Sequence, residues 1–260
     1  MIETDRIICG DNVEVMKSMP DKSIDLTVTS PPYDNLRTYK GYSFDFESVA
    51  QELYRITKDG GVIVWIVGDA TINFCESLSS FKQAIYFVEG CNFNLFDTMI
   101  YAKVNYAPAY PTMRRYAQVF EYMFVLSKGK PKTFNPIQTE KKRKKNELGC
   151  KTRNKDGTQN KSKIIKSKKN TKDANNLWIY PTDKAKGAKN HPAVFPEQLA
   201  EDHILSWSNP DDIVLDPFAG SGTTLKMAAE NKRKYIRIEI SEEYCGIIKE
   251  RLSHIQERLF

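Results

Sequence analysis

The stretch Ile213-Val214-Leu215-Asp216-Pro217-Phe218-Ala219-Gly220-Ser221-Gly222-Thr223-Thr224 decides the fold. Its opening apolar run reads as a short buried strand. Gly220 and Gly222 then allow a tight turn and leave no Cβ between the backbone and a ligand. A helix is predicted from about residue 223 to 231, and a second strand over 235–240. Strand, glycine loop, helix and strand in that order make a parallel β-α-β unit with its ligand site at the first strand's carboxyl end. No lysine follows Gly222, so the loop is not a phosphate loop. It also lacks the full G-x-G-x-x-G dinucleotide fingerprint. Glu239 closes the second strand, where a carboxylate can accept both hydroxyl hydrogens of a ribose.

A second informative stretch lies far upstream: Ile24-Asp25-Leu26-Thr27-Val28-Thr29-Ser30-Pro31-Pro32-Tyr33. Residues 24–29 read as a buried strand. Proline cannot continue a central ladder, so Ser30-Pro31-Pro32-Tyr33 must sit just past that strand's carboxyl end. Open α/β sheets place their ligands there.

Around these stretches, helices are predicted over 13–19, 46–57, 74–88, 196–207 and from about 242. Strands are predicted over 62–67, 93–102 and 119–126, with Lys58-Asp59-Gly60-Gly61 ending the helix before the first of them. Such alternation argues for a three-layer α/β domain with a mostly parallel sheet, not a helical bundle. Residues 128–176 break the rhythm with few large apolar side chains and many Lys, Asn, Thr and Gly. The expected organisation is one core in two parts, 1–127 and 177–260, separated by a segment at 128–176 that is partly disordered on its own.

The chain has 260 residues and a formal charge of +6. That length suits one α/β domain and a small insert. Residues 141–172 hold 14 Lys or Arg against two acids, a net of +12, which leaves the remainder at −6. A basic segment this concentrated suits a polyanionic partner. Cysteines 9, 75, 91, 150 and 245 match neither zinc-knuckle nor CxxC spacing. With no apolar span and no basic or apolar leader, a reduced, cytoplasmic chain is expected.

Ser30-Pro31-Pro32-Tyr33 and Phe218-Ala219-Gly220-Ser221-Gly222 together resemble the paired motifs of the S-adenosylmethionine-dependent DNA amino-methyltransferases. The resemblance covers nearly the whole chain apart from the basic insert. With the substrate motif first and a variable segment between, it matches that family's β group. It implies a Rossmann-like methyltransferase fold with circularly permuted motif order and a basic recognition insert. It also implies S-adenosyl-L-methionine as donor, S-adenosyl-L-homocysteine as product, and no metal.

The resemblance assigns Ser30, Pro31, Pro32 and Tyr33 to catalysis. Ser30 and the Pro31 carbonyl would accept the hydrogens of an exocyclic amine, and Tyr33 would stack on an extruded base. Cofactor contacts are expected from Asp11, His191, Pro192, Asp216, Phe218, Ala219, Gly220, Ser221, Gly222, Thr223, Glu239 and Ile240. Asp216 would hold backbone amides or face the donor's ammonium. Ile240 would pack on adenine. Phe120-Glu121-Tyr122 also looks like a family motif, with Phe120 where a histidine often stands.

DNA contacts are expected from Arg37, Tyr39 and Lys40 past the catalytic motif, from Arg114 and Arg115, and from Lys141, Lys142, Arg143, Lys144 and Lys145 in the insert. Serine at the head of the first motif resembles the N4-cytosine enzymes more than the N6-adenine enzymes, which usually carry aspartate. A hydroxyl and a carboxylate can both accept an amino hydrogen, so adenine stays open. No Pro-Cys nucleophile is present, which counts against C5 methylation. The expected partners are double-stranded DNA with a flipped base and a cognate restriction endonuclease, with the enzyme a monomer or homodimer. The competing readings are a catalytically silent nucleic-acid-binding module, and methylation of RNA or a small molecule by the same core.

Overall fold

The computed structural model describes residues 2–32, 44–105, 115–140, 154–158, 171–181, 196–220, 222–242 and 244–246. These fall into two compact units. The larger comprises Met1–Asn135 and Asn176–Phe260, the smaller Pro136–Asn175.

The larger unit is built on an eight-stranded sheet. In chain order its strands are β1 (Arg6–Cys9), β2 (Ile24–Thr29), β3 (Thr57–Val67), β6 (Asn94–Lys103), β7 (Phe120–Ser127), β10 (Leu177–Tyr180), β11 (Ile213–Asp216) and β12 (Lys234–Glu239). A hairpin of β4 (Thr71–Ile72) and β5 (Cys75–Glu76) stands apart from the sheet. The helices are α1 (Asn12–Lys17), α2 (Phe46–Ile56), α3 (Ser79–Glu89), α4 (Glu197–Trp207) and α5 (Thr223–Glu230). In the smaller unit β8 (Gln138–Glu140) pairs antiparallel with β9 (Thr171–Asp173).

Spatial order across the sheet is β1-β12-β11-β2-β3-β7-β6-β10. β7 alone runs against the rest. From β11 the chain passes through α5 outward to β12. From β2 it passes through α2 outward in the opposite direction to β3. The boundary between β11 and β2 is therefore the topological switch point, and the crevice beyond their carboxyl ends is the natural ligand site.

The two faces of the sheet follow from alternation along its strands. Ile63, Trp65 and Val67 of β3 join Phe124, Leu126, Leu215, Ile236 and Ile238 in one core cluster with Met16, Val49, Leu53 and Phe87 from α1, α2 and α3. Burying each such large side chain contributes about 1.5–3 kcal/mol. The Trp65 indole N–H is not stranded in that core, because it donates to Gln83 Oε1 at 2.8 Å. On the other side α4 packs on β2 and α5, and α5 on β11 and β12. Asp25, a buried charge at the start of β2, is compensated by Lys58 at 2.6 Å, Lys132 at 3.3 Å and the Ile213 amide at 3.0 Å.

Most expected elements are present with shifts of a residue or two, and four features differ from expectation. First, β3 begins at Thr57 and runs through Gly60-Gly61 instead of starting after them. Gly60 takes φ +77°, and a Cβ there would stand 2.9 Å from Lys132 Cβ. The glycine pair lets the strand bend around the turn after β7, with Gly60 N–H donating to Lys128 O and its carbonyl accepting from Lys132 N–H. Second, the helix expected from residue 74 starts at Ser79. Asn73 and Phe74 have φ of 49° and 65° and form the hairpin tip. Asp69 then accepts from the Ser80 amide at 2.9 Å and fixes the helix start.

Third, residues 138–140 and 171–173 are strands within the segment that composition reads as irregular. Fourth, Cys9 and Cys245 are joined in a disulfide, in place of the expected full set of free thiols. It ties the end of β1 to the stretch after β12. Among the described residues no helix is long and apolar enough to cross a membrane.

His203 on α4 is fully buried. Its ring lies 4.5 Å from that of Trp178, and Nε2 is 3.2 Å from Met123 Sδ. Nδ1 has no hydrogen-bond partner among the described residues. Burial lowers its pKa from 6.5 to about 3. The unfolded chain therefore binds a proton near pH 6.5 that the folded chain refuses until about pH 3. Stability must fall as pH drops through that window and be unaffected by this group above it. His203→Leu is expected to lose less stability than wild type between pH 7 and pH 5, by about 2 kcal/mol in denaturant unfolding. Equal losses in the two proteins would show that His203 is not the group responsible.

Candidate active site

The crevice is closed from both sides by a short chain of hydrogen bonds. β2 ends at Thr29, and β11, its parallel neighbour, ends at Asp216. Thr29 Oγ1 donates to Asp216 Oδ1 at 2.7 Å, and both residues are buried. The same carboxylate oxygen accepts from the Phe218 amide at 3.1 Å. Thr224 Oγ1, at the start of α5, donates to Val28 O at 3.2 Å. Asn12 Nδ2 donates to Pro217 O at 3.3 Å. Ser30, Pro31 and Pro32 follow Thr29 directly and so leave the sheet beside the glycine loop.

Each part of that loop has a local reason for its shape. The Phe218 ring packs 5.3 Å from Phe44 and 6.1 Å from Trp65, which anchors the loop to the core. Gly220 and Gly222 have φ of 45° and 89°. The positive φ favours glycine at 222, and a Cβ there would press on the end of the Arg237 side chain, with Nη1 at 2.5 Å. Arg237 is fully buried, and its Nη2 donates to Gly220 O at 2.8 Å. Glu239 accepts from the Gly220 amide at 2.8 Å through one oxygen and from the Ser241 amide at 2.9 Å through the other. Each oxygen keeps a lone pair for a further donor. α5 has no side-chain cap at its start. Thr223 Oγ1 beside it is buried without a hydrogen-bond partner among the described residues.

Two buried carboxylates set the electrostatics. Desolvation pushes Asp216 above the ordinary aspartate range, against the opposing pull of Thr29, the Phe218 amide, Thr224 and the Arg237 charge. Desolvation likewise raises Glu239, while the Ser241 and Gly220 amides and Arg237 pull the other way and Asp216 adds to the rise. A ligand bringing hydroxyl donors or positive charge into this crevice relieves both groups.

The expected residues separate clearly. Ser30, Pro31, Pro32, Asp216, Phe218, Ala219, Gly220, Gly222, Thr223, Glu239 and Ile240 lie at the ends of β2, β11 and β12 or in the loop. Ile240 is 46% exposed just past Glu239. Asp11 caps α1 by accepting from the Glu14 amide at 3.1 Å. Arg115 is held on the hairpin, donating to Thr71 Oγ1 and to Glu76 Oε1, each at 2.8 Å. Glu121 pairs with Lys103. Tyr33, Arg37, Tyr39, Lys40, Arg114, Lys141, Lys142, Arg143, Lys144, Lys145, His191, Pro192 and Ser221 lie outside the described residues. Thr29, Thr224, Asn12 and Arg237 join the site although the motifs do not point to them. Arg237 alone carried a signal, as a charge alternating with isoleucines in a buried strand.

A family model described as DNA methylase, covering N6 and N4 methyltransferases, matches residues 24–250. The chain belongs to that family. It is 54% identical over 250 residues to the orphan methyltransferase M.BamHII of Bacillus amyloliquefaciens, covering 92% of each chain. Among solved structures, the cytosine-N4-specific PvuII DNA methyltransferase superposes with a TM-score of 0.73 at 22% identity, covering 96% of this chain and 86% of that one, a likeness of fold. The protein TTHA0409 of Thermus thermophilus, solved in complex with S-adenosyl-L-methionine, matches with a TM-score of 0.65 at 25% identity, covering 96% of this chain and 93% of that one. This methyltransferase therefore acts on DNA and uses S-adenosyl-L-methionine as its donor. The Rossmann-like fold expected from the paired motifs is the one present.

The Thr29–Asp216 bond yields a double-mutant test of how the two motifs are coupled. Thr29→Val removes the hydroxyl and keeps the shape, and should cost about 1–3 kcal/mol by leaving a buried carboxylate short of a donor. In an Asp216→Asn background the same change should cost at least ~0.5 kcal/mol less. Additive losses in thermal or denaturant unfolding would mean that the pair is not coupled.

Proposed function

We propose that this DNA methyltransferase transfers the methyl group to the exocyclic N4 of cytosine, in a specific duplex sequence, with the target base rotated out of the helix. The observation that carries the reading is the Thr29–Asp216 junction, because it sets the Ser30-Pro31-Pro32 turn beside the glycine loop. When bound, S-adenosyl-L-methionine supplies a methyl group already activated by positive sulfur.

The residues of the crevice suit that donor. Glu239, with a spare lone pair on each oxygen, would hold the ribose hydroxyls. The uncapped start of α5 and the unpartnered Thr223 hydroxyl would meet the methionine carboxylate. Ile240 offers adenine an apolar surface. Asp11 and the stretch of His191 and Pro192 would complete the adenine and methionine ends.

The target amine is a poor nucleophile because its lone pair is delocalised into the ring. Ser30 Oγ and the Pro31 carbonyl would accept its two hydrogens and favour a localised lone pair aimed at the donor. One of those protons must leave once the nitrogen is alkylated, and the same acceptors hold it on its way out. The Pro-Pro backbone keeps the acceptors stiff. Tyr33 would stack on the extruded base.

Support for cytosine is the serine at the head of the motif. The family match spans N4 and N6 enzymes, and adenine N6 is the second reading. The segment 128–176 would recognise the sequence, its lysines and arginines meeting phosphates and its polar side chains reading base edges. Arg37, Tyr39, Lys40, Arg114 and Arg115 would hold the opened duplex. The setting we assign is protection of cytoplasmic DNA against a cognate restriction endonuclease.

Mass spectrometry of nucleosides from DNA modified by this protein should reveal N4-methylcytosine; N6-methyladenine alone would select the second reading. Ser30→Ala should lower kcat about 100-fold or more while leaving donor affinity near wild type. Glu239→Ala should do the reverse in calorimetry, weakening donor binding. An unchanged rate in the first or unchanged affinity in the second would remove that residue from its role. Deleting 141–172 should weaken DNA binding and flatten its dependence on salt. An unaltered salt slope would show that these cations do not meet phosphates.

A further inference from the structure

The Cys9–Cys245 disulfide lies against one end of the crevice. Cys9 is the last residue of β1, and in the sheet it stands beside Glu239, the last residue of β12. The Gly10 amide donates to Glu239 O at 2.9 Å. Cys245 comes six residues after Glu239, and its sulfur is 3.5 Å from the same carbonyl oxygen. The chain therefore turns back over the end of its own strand. The S–S bond clips that turn to β1 across 236 residues of sequence.

The clip restrains both segments that border Glu239. On one side, Ser241 links the carboxylate to the disulfide. Its amide donates to Glu239 Oε1 at 2.9 Å, and its carbonyl accepts from the Cys245 amide at 2.9 Å. On the other side, Gly10 leads into Asn12, whose Nδ2 donates to Pro217 O in the glycine loop at 3.3 Å. A bond between the two sulfurs thus fixes the surroundings of Glu239 and Ile240 from both directions.

The two cysteines differ in access. Cys9 is exposed, whereas Cys245 is 5% exposed. An incoming thiolate meets Cys9, with Cys245 as the leaving group. In the cytoplasmic setting assigned above, thiols are kept reduced, and a disulfide that does form is ordinarily transient and redox-sensing.

We propose that Cys9 and Cys245 form a thiol–disulfide exchange site that sets the affinity for the methyl donor. The oxidised pair holds the adenosine end of the crevice in shape, and reduction by a dithiol loosens it. The inference rests on the reading that Glu239 and Ile240 hold that end of the donor. One thiolate of the reductant attacks the Cys9 sulfur, the S–S bond breaks, and Cys245 leaves as a thiolate. The reductant's second thiolate then attacks the mixed disulfide and releases Cys9. The dithiol gives up two electrons and two protons and becomes a disulfide, while the protein gains two thiols.

The test is calorimetric titration of the full chain with S-adenosyl-L-methionine, after treatment with oxidised glutathione or with dithiothreitol. Alkylation in denaturant followed by mass spectrometry reports the state of Cys9 and Cys245. Reduction should weaken donor binding about 10-fold, because the donor must then order the stretch that the disulfide had ordered in advance. Cys9→Ser should match the reduced wild type under both treatments, and circular dichroism should show it folded. A disulfide that only stabilises the fold would lower the unfolding temperature and leave donor affinity of the folded protein unchanged. Equal affinities in the two states would overturn the proposal. So would free Cys9 and Cys245 after oxidation, a reduced chain that unfolds, or a Cys9→Ser variant that still responds to dithiothreitol. Glu239→Ala separates this proposal from the reading beneath it. Lost affinity in that variant with no redox effect in the wild type would sink the exchange site alone. A redox effect with normal affinity in Glu239→Ala would sink the ribose contact and leave the exchange site standing.

Discussion

Thr29 and Asp216 end neighbouring parallel strands, and the buried hydrogen bond between them is the constraint on which the site depends. A carboxylate taken out of water is costly unless its lone pairs are used. Asp216 meets that cost with the hydroxyl of Thr29 and the amide of Phe218. The donors come from both sides of the crevice, so satisfying one charge fixes the relative position of two loops. Phe218 then pins the glycine loop to the Trp65 side of the core, and the end of Arg237 fills the space beside Gly222.

This constraint also explains how the motif order can be permuted without harm. Among the described residues, the strand leading into Ser30-Pro31-Pro32 is the second and the strand leading into the glycine loop is the eleventh. Order along the chain does not enter the chemistry. What matters is that β2 and β11 are adjacent, parallel, and end at the same level of the sheet. Of the elements between them in the chain, β3, β7, β6 and β10 lie on the β2 side of the sheet, with β12 and β1 on the other flank. Residues 136–175 fall within that connection and form their own unit.

Much of this was legible because local pattern and tertiary role agreed. Ile24–Thr29 is a buried apolar run that stops at prolines, and it is the predicted strand, residue for residue. Phe46–Ile56 has a helical stripe and is a helix. The failures are places where a distant partner overrides local chemistry. Gly60-Gly61 looks like a terminator, yet the turn at Lys128–Lys132 pairs with it and draws it into β3. Around residue 74, Ile72 and Phe74 fit either period, and Asn73 is a weak turn signal. In the site itself, Gly220, Gly222 and Glu239 were readable because a glycine loop and a strand-end acid carry recognisable chemistry. Thr29 and Thr224 were not, since a threonine in an apolar strand or helix start has no signature until its partner is known.

Charge balance offers a last link between the buried residues and the proposed reaction. Asp216 and Glu239 are two acids around one buried cation, Arg237, and burial works against the ionised form of both. Any positive charge entering the crevice stabilises the ionised pair. A sulfonium donor brings that charge at the atom that loses the methyl group, and its product is neutral at the same atom. With the donor held as proposed, the two carboxylates would favour donor over product through their fixed positions alone, with no change of shape required. The same asymmetry operates at larger scale. Outside 141–172 the chain is net negative, and that segment alone carries +12, the charge on which the proposed approach of DNA rests.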